Sequence, residues 1–498
     1  MVYFVLALLS WFQQAPELFF PTTSGEVRFA EGEAKWLTVL RTQTEDERLT
    51  QLWESPVLPL LENAPPHVQL LFVADGPDWE AAMEGIQERI EESLNEMPPT
   101  IAAEWKGRIH FSAVAGAQWE GAASEILSAG LAWRAGKAGF LVDGQGRLRE
   151  PGLLLIPFAE SGPEWRLVTK EWAHFLWEDA LDARLDGEEG VEVVPLFEGD
   201  EIRGGWGSEI QGTAIFPPTE ILMNYNHLEV DLEMACPGNS DAGCPEWDHT
   251  TNLFLCSLEQ DAPCNQPLAR WISTYHRRGR WVSDITPMLA FLKEGGERRF
   301  RFKVPTGESA YILNLKFRLS TVEGPRPTEA IPLWTGGAFH GGYNPSQPLK
   351  IFSVPDGFRR AKVVGLLSGH GFGDDEANCA EFCNHQHQFE INGNALPLLE
   401  DPKAGTDLGC HNLVSEGVVP NQFGTWPYGR AYWCPGWDLP PFSIDATPYL
   451  VRGLNRFSYH ALYKSKPYQP VPLVDGNDFQ ASINLHSWLI LWTELDPS

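Results

Sequence analysis

Apolar residues recur at every second position in Ala310-Tyr-Ile-Leu-Asn-Leu-Lys-Phe-Arg-Leu319. Because successive side chains of a strand point to opposite faces, this pattern predicts a β-strand with one buried face. From about Val194 onward similar runs follow one another, separated by proline and glycine, and we predict no helix there. They are Gly212–Phe216, Leu228–Leu232, Phe300–Val304, Val363–Leu367, Gln386–Ile391, Phe457–Leu462 and Ser482–Leu491. Short strands with regular turn signals predict antiparallel β-sandwiches.

The β-rich part is too long for one sandwich, since the whole chain has 498 residues and single cores stop growing well below that size. The proline-rich stretch from Gly324 to Pro332 is the natural place to divide it. We therefore predict one β domain over residues 194–325 and a second over residues 326–498.

Residues 21–193 have a different pattern, in which strand-like and helix-like segments alternate. Strands are predicted at His67–Ala74, Arg108–Val114 and Leu153–Phe158, helices at Asp78–Met97 and Ala122–Ala135, and a hairpin at Gly139–Leu148. This order predicts an α/β accessory domain, faintly similar to thioredoxin-like domains. It contains no cysteine, so a thiol redox role is excluded.

The overall charge and the first residues restrict the partners and the location. The formal net charge of −30 repels phosphate backbones, so we expect no nucleic-acid partner. The apolar start Met1–Phe12 is too short to span a bilayer and resembles a secretory signal peptide, which we predict over residues 1–20. No later run suggests stable membrane insertion. We expect a monomer that is secreted or periplasmic.

All eight cysteines lie in the β-rich part, and neighbours in sequence are close together. Nearest-neighbour pairing would join Cys236 to Cys244, Cys256 to Cys264, Cys379 to Cys383, and Cys410 to Cys434. Zinc is the alternative, but only Cys379 and Cys383 have ligand-like spacing and no second such pair accompanies them. Disulfides are therefore preferred, and they imply an oxidising, exported location.

Two of the cysteine-framed segments carry an acid beside an aromatic residue. One ends in Cys244-Pro-Glu-Trp247-Asp248, and the other is Cys379-Ala-Glu381-Phe382-Cys383. A short disulfide loop holds its backbone in one shape, so an acid next to an aromatic ring would be fixed at the wall of a sugar-sized pocket. Asp248 and Glu381 are the leading functional candidates.

These motifs resemble the bacterial peptide-N-glycosidase F family, which removes N-linked glycans by cutting the Asn side-chain amide. A third motif, Trp426-Pro-Tyr-Gly-Arg430-Ala-Tyr-Trp433-Cys434, follows them in the same order as in the family. The resemblance spans roughly residue 194 to the C-terminus. It implies two adjacent eight-stranded antiparallel jelly rolls, preceded here by the α/β domain. Three of the predicted disulfides have counterparts in the family, and Cys256–Cys264 is extra.

The resemblance also implies roles for individual residues. Asp248 would be the primary catalytic carboxylate, Glu381 would position water or shuttle a proton, and Arg430 would hold a carboxylate or the developing oxyanion. Trp247 and Trp433 would form the apolar wall for GlcNAc. Further substrate contacts are predicted, with departures from the family pattern, at His249 (Arg in the family), Phe382 (Trp in the family), Glu308 (out of register with a family carboxylate) and His370.

The predicted function is a secreted glycoamidase acting on N-glycosylated peptides and proteins, with Asp and a glycosylamine as products. Water would attack the amide carbon, one carboxylate would take its proton, and an acid would protonate the leaving nitrogen. No cofactor or metal is predicted, because His385-Gln-His387 lacks an evident third ligand. A two-carboxylate glycoside hydrolase and a glycan-binding jelly roll without activity are the alternatives.

Overall fold

A computed structural model describes residues 14–30, 36–129, 138–154, 164–239, 243–259, 263–355, 357–371, 379–468 and 481–493. Most of the predicted signal peptide, the end of the predicted helix at Ala122–Ala135 and most of the predicted strand at Leu153–Phe158 lie outside the described residues. No helix within the described ranges is long and apolar enough to cross a membrane.

The N-terminal unit is built on a five-stranded mixed sheet with helices on both sides. The strands of the whole unit, including two that form a hairpin outside this sheet, are β1 (Leu18–Thr22), β2 (Gly25–Phe29), β3 (Leu37–Gln43), β4 (Gln69–Asp75), β5 (Ile109–Phe111), β6 (Gly139–Val142) and β7 (Leu148–Arg149). The helices are α1 (Glu47–Glu54), α2 (Leu58–Glu62), α3 (Trp79–Glu96), α4 (Pro99–Glu104), α5 (Gly121–Ala129) and α6 (Arg166–Gly187), with a 3-10 turn at Gly116–Gln118.

The sheet order is β5-β4-β3-β6-β7, with β3, β4 and β5 parallel and β6 and β7 antiparallel; β1 and β2 form a separate hairpin. Strand β4 is buried along almost its whole length, as expected for a parallel strand covered on both faces. Helix α6, with 22 residues, was not predicted from the sequence. The likeness to thioredoxin-like domains stays a prediction.

The first sandwich has eight strands within the described residues. They are β8 (Glu192–Ile202), β9 (Glu209–Phe216), β10 (His227–Ala235), β11 (Thr250–Leu255), β12 (Gln266–Ile272), β13 (Gly279–Asp284), β14 (Gly296–Lys303) and β15 (Tyr311–Ser320), with helix α7 (Thr219–Leu222) and 3-10 turns at Gly205–Gly207, Pro237–Asn239 and Thr286–Phe291. One sheet runs β13-β10-β15-β8 and the other β12-β11-β14-β9. The alternating positions of β15 face the core between them, as its pattern predicts.

The second sandwich is also built from two antiparallel sheets. Its elements are β16 (Pro327–Pro332), β17 (Gly336–Ala338), β18 (Lys350–Val354), β19 (Phe358–His370), α8 (Cys379–Phe382), β20 (His385–Ile391), β21 (Asn394–Ala395), β22 (Trp437–Asp438), β23 (Phe442–Asp445), β24 (Gly453–Tyr463), β25 (Lys466–Pro467) and β26 (Ser482–Thr493), with 3-10 turns at Asn344–Ser346, His411–Glu416 and Thr447–Tyr449. Its sheets run β16-β26-β19-β23, with β17 also on β26, and β18-β24-β20-β21, with β25 also on β24. Strand β22 instead pairs with β12 of the first sandwich.

The predicted mainly β fold, with two antiparallel sandwiches after an α/β unit, is confirmed. The expectation of no helix after Val194 was slightly wrong, since α7 and α8 each form one helical turn. The proline-rich stretch enters the edge strand β16, a position that tolerates proline, and the ladder of β16 with β26 shifts register between Pro327 and Glu329. The domain boundaries stay predictions. The four predicted disulfides are all present.

Candidate active site

The two candidate carboxylates lie at the junction of the sandwiches. Asp248 stands just before β11, after the loop closed by Cys236 and Cys244, and its side chain is 16% exposed. Glu381 lies in the single turn of α8, closed by Cys379–Cys383, with a side chain that is 12% exposed. Asp248 thus follows a cross-linked segment, Glu381 lies inside one, and both side chains are partly shielded from water.

Arg430 joins the two acids. Its Nη2 lies 3.9 Å from Oδ2 of Asp248, and its Nε lies 3.5 Å from Oε1 of Glu381. Nη1 donates to the carbonyl oxygens of Thr425 at 2.5 Å and Tyr428 at 2.7 Å, and Nη2 donates to the Thr425 hydroxyl at 2.5 Å. The guanidinium is therefore fixed by its own segment, and the carboxylates meet a cation that is already in place.

The environments of the two acids shift their pKa values unequally. Burial raises the pKa of Glu381 to about 7; Arg430 opposes this rise, and the charge of Asp248 adds to it. Oε2 of Glu381 also accepts the backbone N–H of Gly371 at 3.2 Å. Burial raises the pKa of Asp248 as well, but Arg430 and a hydrogen bond from the Tyr275 hydroxyl oppose the rise. Two neighbouring acids in unequal environments can divide acid and base work.

Aromatic rings enclose the arginine. The rings of Phe382 and Trp433 each lie 5.4 Å from its Cζ. Trp433 is only 2% exposed, its indole N–H donates to the Gly369 carbonyl at 2.6 Å, and the His370 ring stacks on it at 4.9 Å. The prediction of Trp433 as a sugar-contacting wall does not fit this burial, because almost none of its surface can reach a ligand. Its ring instead packs against the guanidinium of Arg430.

The exposed aromatic surface near Asp248 comes from two tryptophans. Trp247 is 49% exposed, and its ring lies 6.3 Å from the Tyr275 ring. Trp206 is 70% exposed and packs edge-on against the His249 ring at 5.1 Å. Flat, exposed rings beside a polar centre suit the apolar faces of sugars.

Both predicted histidines stay uncharged near neutral pH. Burial lowers the pKa of His249 to about 4, so it does not replace the positive charge that the family's arginine carries at this position. Burial, with the nearby Arg270, lowers the pKa of His370 to about 3. Nε2 of His370 lies 2.8 Å from the hydroxyl oxygen of Ser368 and 3.3 Å from that of Thr250, which comes from the other sandwich.

Glu308 lies apart from this arrangement. It is exposed in the turn that follows β14. Within the described residues, no hydrogen bond or ion pair joins it to Asp248, Glu381 or Arg430.

Direct contacts between described residues bring together seven of the nine side chains that were predicted to be catalytic or to contact substrate. Six of them surround or include the arginine: Asp248, Glu381, Arg430, Phe382, Trp433 and His370. The seventh, Trp247, is connected to Asp248 through Tyr275.

Two residues of the site were missed by the sequence analysis, namely Tyr275 and Trp206. Neither lies in a cysteine-framed motif or beside an acid in sequence, so no local signal marked them.

The two histidines considered for metal binding, His385 and His387, form hydrogen bonds with protein groups. Nδ1 of His385 and Nε2 of His387 are 2.9 Å apart, and their other nitrogens contact the Ala380 carbonyl oxygen at 3.0 Å and the Tyr459 hydroxyl at 2.6 Å.

The fold and site define a class: a disulfide-stabilised double jelly roll with an arginine-bridged acid pair between its two sandwiches. Residues 344–490 match the family model described as Peptide-N-glycosidase F, C terminal. Over 321 residues, the chain is 24% identical to Peptide-N(4)-(N-acetyl-beta-D-glucosaminyl)asparagine amidase F of Elizabethkingia miricola, covering 58% of this chain and 82% of that protein. The three-dimensional structure of PNGase F, a glycosylasparaginase from Flavobacterium meningosepticum, shares the fold, with a TM-score of 0.50 and 17% identity over 62% of this chain and 97% of that one. The chain is thus similar to the peptide-N-glycosidase F family in sequence and in fold.

Proposed function

We propose that the protein is a glycoamidase that hydrolyses the amide bond between Asn and the innermost GlcNAc of N-linked glycans on peptides and proteins. The observation that carries the proposal is Arg430, which contacts Asp248 and Glu381 from opposite sandwiches at 3.9 and 3.5 Å. Similarity to the peptide-N-glycosidase F family and the name of the amidase relative support the same reaction class.

Asp248 acts as the primary carboxylate. It accepts the proton of the attacking water while the water oxygen forms a bond to the side-chain carbon of the glycosylated Asn. The charge of Arg430 and the hydrogen bond from the Tyr275 hydroxyl both oppose the rise in the pKa of Asp248 that burial causes, and so favour the ionised form that accepts a proton. The carbon–nitrogen bond then breaks, the carbon side ends as Asp, and the nitrogen leaves with the sugar as a glycosylamine.

Glu381 shuttles the second proton. With a pKa of about 7 it carries a proton in much of the population near neutral pH, and it can pass this proton to the leaving nitrogen. Arg430 has its Nη1 and Nη2 donors engaged by its own segment, so its role is to hold the two acids and to stabilise negative charge that develops between them.

Substrate contacts are assigned to the exposed aromatic surface and its neighbours. Trp247 offers a flat ring to GlcNAc, and Phe382, His249 and His370 border the acid pair. Glu308, which is exposed, is assigned a contact with a more distant part of the glycan or peptide. The four disulfides support a secreted or periplasmic location.

The test is incubation of a defined N-glycopeptide with the full chain, followed by mass analysis of both products. We expect the linked Asn to become Asp and the intact glycan to be released. Asp248→Asn should lose this activity. Asp231→Asn is the matched control, because Asp231 is also a buried, ion-paired aspartate but lies on β10 in the opposite sheet of the first sandwich.

The products separate the alternatives. A peptide that keeps one GlcNAc on Asn would identify a glycoside hydrolase, and tight binding without turnover would identify a glycan-binding protein. Full activity of Asp248→Asn on a denatured glycoprotein would refute the proposal.

A further inference from the structure

Helix α6 shares a core with the segments that surround the acid pair. One apolar cluster joins Trp165, Leu167, Val168 and Trp172 of this region to Tyr275, Cys410, Val414, Val418, Trp426 and Cys434 of the two sandwiches. The segment between Cys410 and Cys434 carries Arg430. The N-terminal unit therefore packs against Tyr275 and against the segment that carries Arg430.

A buried carboxylate, Glu171, lies in the middle of this contact. It is 0% exposed and accepts hydrogen bonds from the Arg277 guanidinium at 2.9 and 3.3 Å, from Nδ2 of Asn421 at 2.7 Å, and from the N–H of Gly152 at 3.0 Å. Arg277 is 4% and Asn421 0% exposed. A buried ion pair with its hydrogen bonds satisfied is costly to break, because one partner is left as an unpaired charge.

One route from Glu171 to the site runs through Arg277. The Thr274 hydroxyl donates to the Arg277 carbonyl oxygen and closes a turn over residues 274–277. Tyr275, inside this turn, directs its hydroxyl to Asp248. Fixing Arg277 therefore fixes the backbone from which the Tyr275 ring extends.

The same turn holds the disulfide loop before Asp248. His276 has a φ of 60°, a conformation that costs free energy in most residues and persists only where the surroundings enforce it. Its N–H donates to the Pro245 carbonyl at 3.1 Å, and its own carbonyl accepts the N–H of Gly243 at 2.9 Å. The loop that leads into Asp248 is thus tied to the turn anchored by Glu171.

A second route runs through Asn421. This residue has a φ of 48° and is followed by the fully buried Gln422. Oε1 of Gln422 accepts the backbone N–H of Tyr275 at 2.9 Å, and its Nε2 donates to the carbonyls of Val419 at 2.6 Å and Pro435 at 2.8 Å. Both routes from Glu171 therefore converge on Tyr275.

We propose that Glu171 of the N-terminal unit is a positioning residue for Asp248, acting through Arg277 and Asn421 on the turn that carries Tyr275. It touches no substrate. The inference rests on the proposed amidase function, and it gives the N-terminal unit a role in the reaction.

The experiment compares Glu171→Gln with Glu178→Gln in the full chain. Glu178 is the matched control because it lies on the same helix, is 3% exposed, and pairs at 2.9 Å with Arg278, next to Arg277. Both variants lose a buried ion pair at the same contact. Only Glu171 accepts hydrogen bonds from both Arg277 and Asn421, the two residues that lead to Tyr275.

For Glu171→Gln we expect kcat to fall between about tenfold and about a hundredfold with KM little changed, since small displacements of reacting groups have effects of this size. The apparent pKa that the pH–rate profile reports for Asp248 should shift. Amide hydrogen exchange over residues 243–249 and 272–279 should become faster. Glu178→Gln should leave all three as in the wild type.

Asn421→Gly gives a second variant that leaves no buried charge unpaired and keeps the positive φ accessible. It should show the same changes in smaller measure, even if Glu171→Gln does not fold. If both variants keep the wild-type kcat, pH profile and exchange, the proposal is overturned. Absence of glycan release by the wild type would refute the proposed function alone, since the exchange comparison would still test the link from Glu171 to the Asp248 loop.

Discussion

The two disulfide loops present an acid to the same arginine, yet they surround that acid differently. Asp248 receives a hydrogen bond from the Tyr275 hydroxyl, which belongs to another segment of the first sandwich. Glu381 receives a backbone N–H at 3.2 Å from Gly371, and burial raises its pKa to about 7. Two similar disulfide loops therefore present acids with different pKa values, because the groups that donate hydrogen bonds to each acid are of different kinds.

The largest effect should come from removing the shared cation. In Arg430→Met the two acids lose their common positive charge, so their mutual repulsion is no longer compensated. We expect kcat to fall about 10³-fold, comparable to the loss of a transition-state donor. Single-turnover kinetics on folded protein measures it.

Arg326→Met is the control for that experiment. Arg326 is also a buried arginine, 4% exposed, that donates to backbone carbonyls, including that of Leu292 at 2.7 Å. It should lower the melting temperature without changing kcat. Equal losses of kcat in both variants would mean that Arg430 acts only through folding.

Removing the second acid should have the next largest effect. In Glu381→Gln the proton donor is lost, and we expect kcat to fall at least about 10²-fold. In the wild type, activity should decline as pH rises through about 7, because Glu381 then loses its proton. A variant that retained this decline would show that the limb belongs to another group.

The raised pKa of Glu381 also predicts how stability depends on pH. Between about 4.5 and 7 the folded protein binds this proton more tightly than the unfolded chain does, so the free energy of unfolding decreases as pH rises. Glu381→Gln lacks this term, and its stability relative to wild type should increase across that range by at most on the order of 3 kcal/mol. Denaturant unfolding of both proteins at several pH values measures the difference. A constant difference would contradict the raised pKa.

The smallest effect should come from the donor that distinguishes Asp248. Tyr275→Phe removes one hydroxyl but keeps the ring, so the pKa of Asp248 should rise further and kcat should fall about tenfold. The pH–rate profile should show the lower limb moving to higher pH while the limb near 7 stays. Movement of both limbs together would indicate that the acids titrate as one unit.

Much of the site could be predicted because its chemistry lies in short, ordered motifs. Asp248 and Glu381 stand beside aromatic residues in or next to cysteine-framed segments, and the resemblance to the peptide-N-glycosidase F family added Arg430. Strands such as β15 followed from alternation alone. The fold was therefore accessible from local pattern, and the central residues from local motifs together with the family resemblance.

The remainder depends on contacts between distant segments. Tyr275 acquires its role only because the turn at 274–277 packs beside Asp248, and no feature of the local sequence encodes this. The burial of Trp433 was missed for the same reason, since an aromatic residue in a motif can line a pocket or support it. Helix α6 was missed because its apolar residues face the sandwiches as well as its own sheet, which weakens the one-sided pattern of a surface helix.

Strand β22 has a mechanical consequence. It belongs in sequence to the second sandwich but forms backbone hydrogen bonds with β12 of the first, at Trp271–Asp438 and Ile272–Trp437. The Asp438 side chain adds a bond at 2.8 Å from the Ser283 hydroxyl. Separation of the sandwiches at this point would require these bonds to break or residues 439–441, which lead to β23, to change conformation. The short ladder therefore links the relative position of the two sandwiches to the conformation of one three-residue connection.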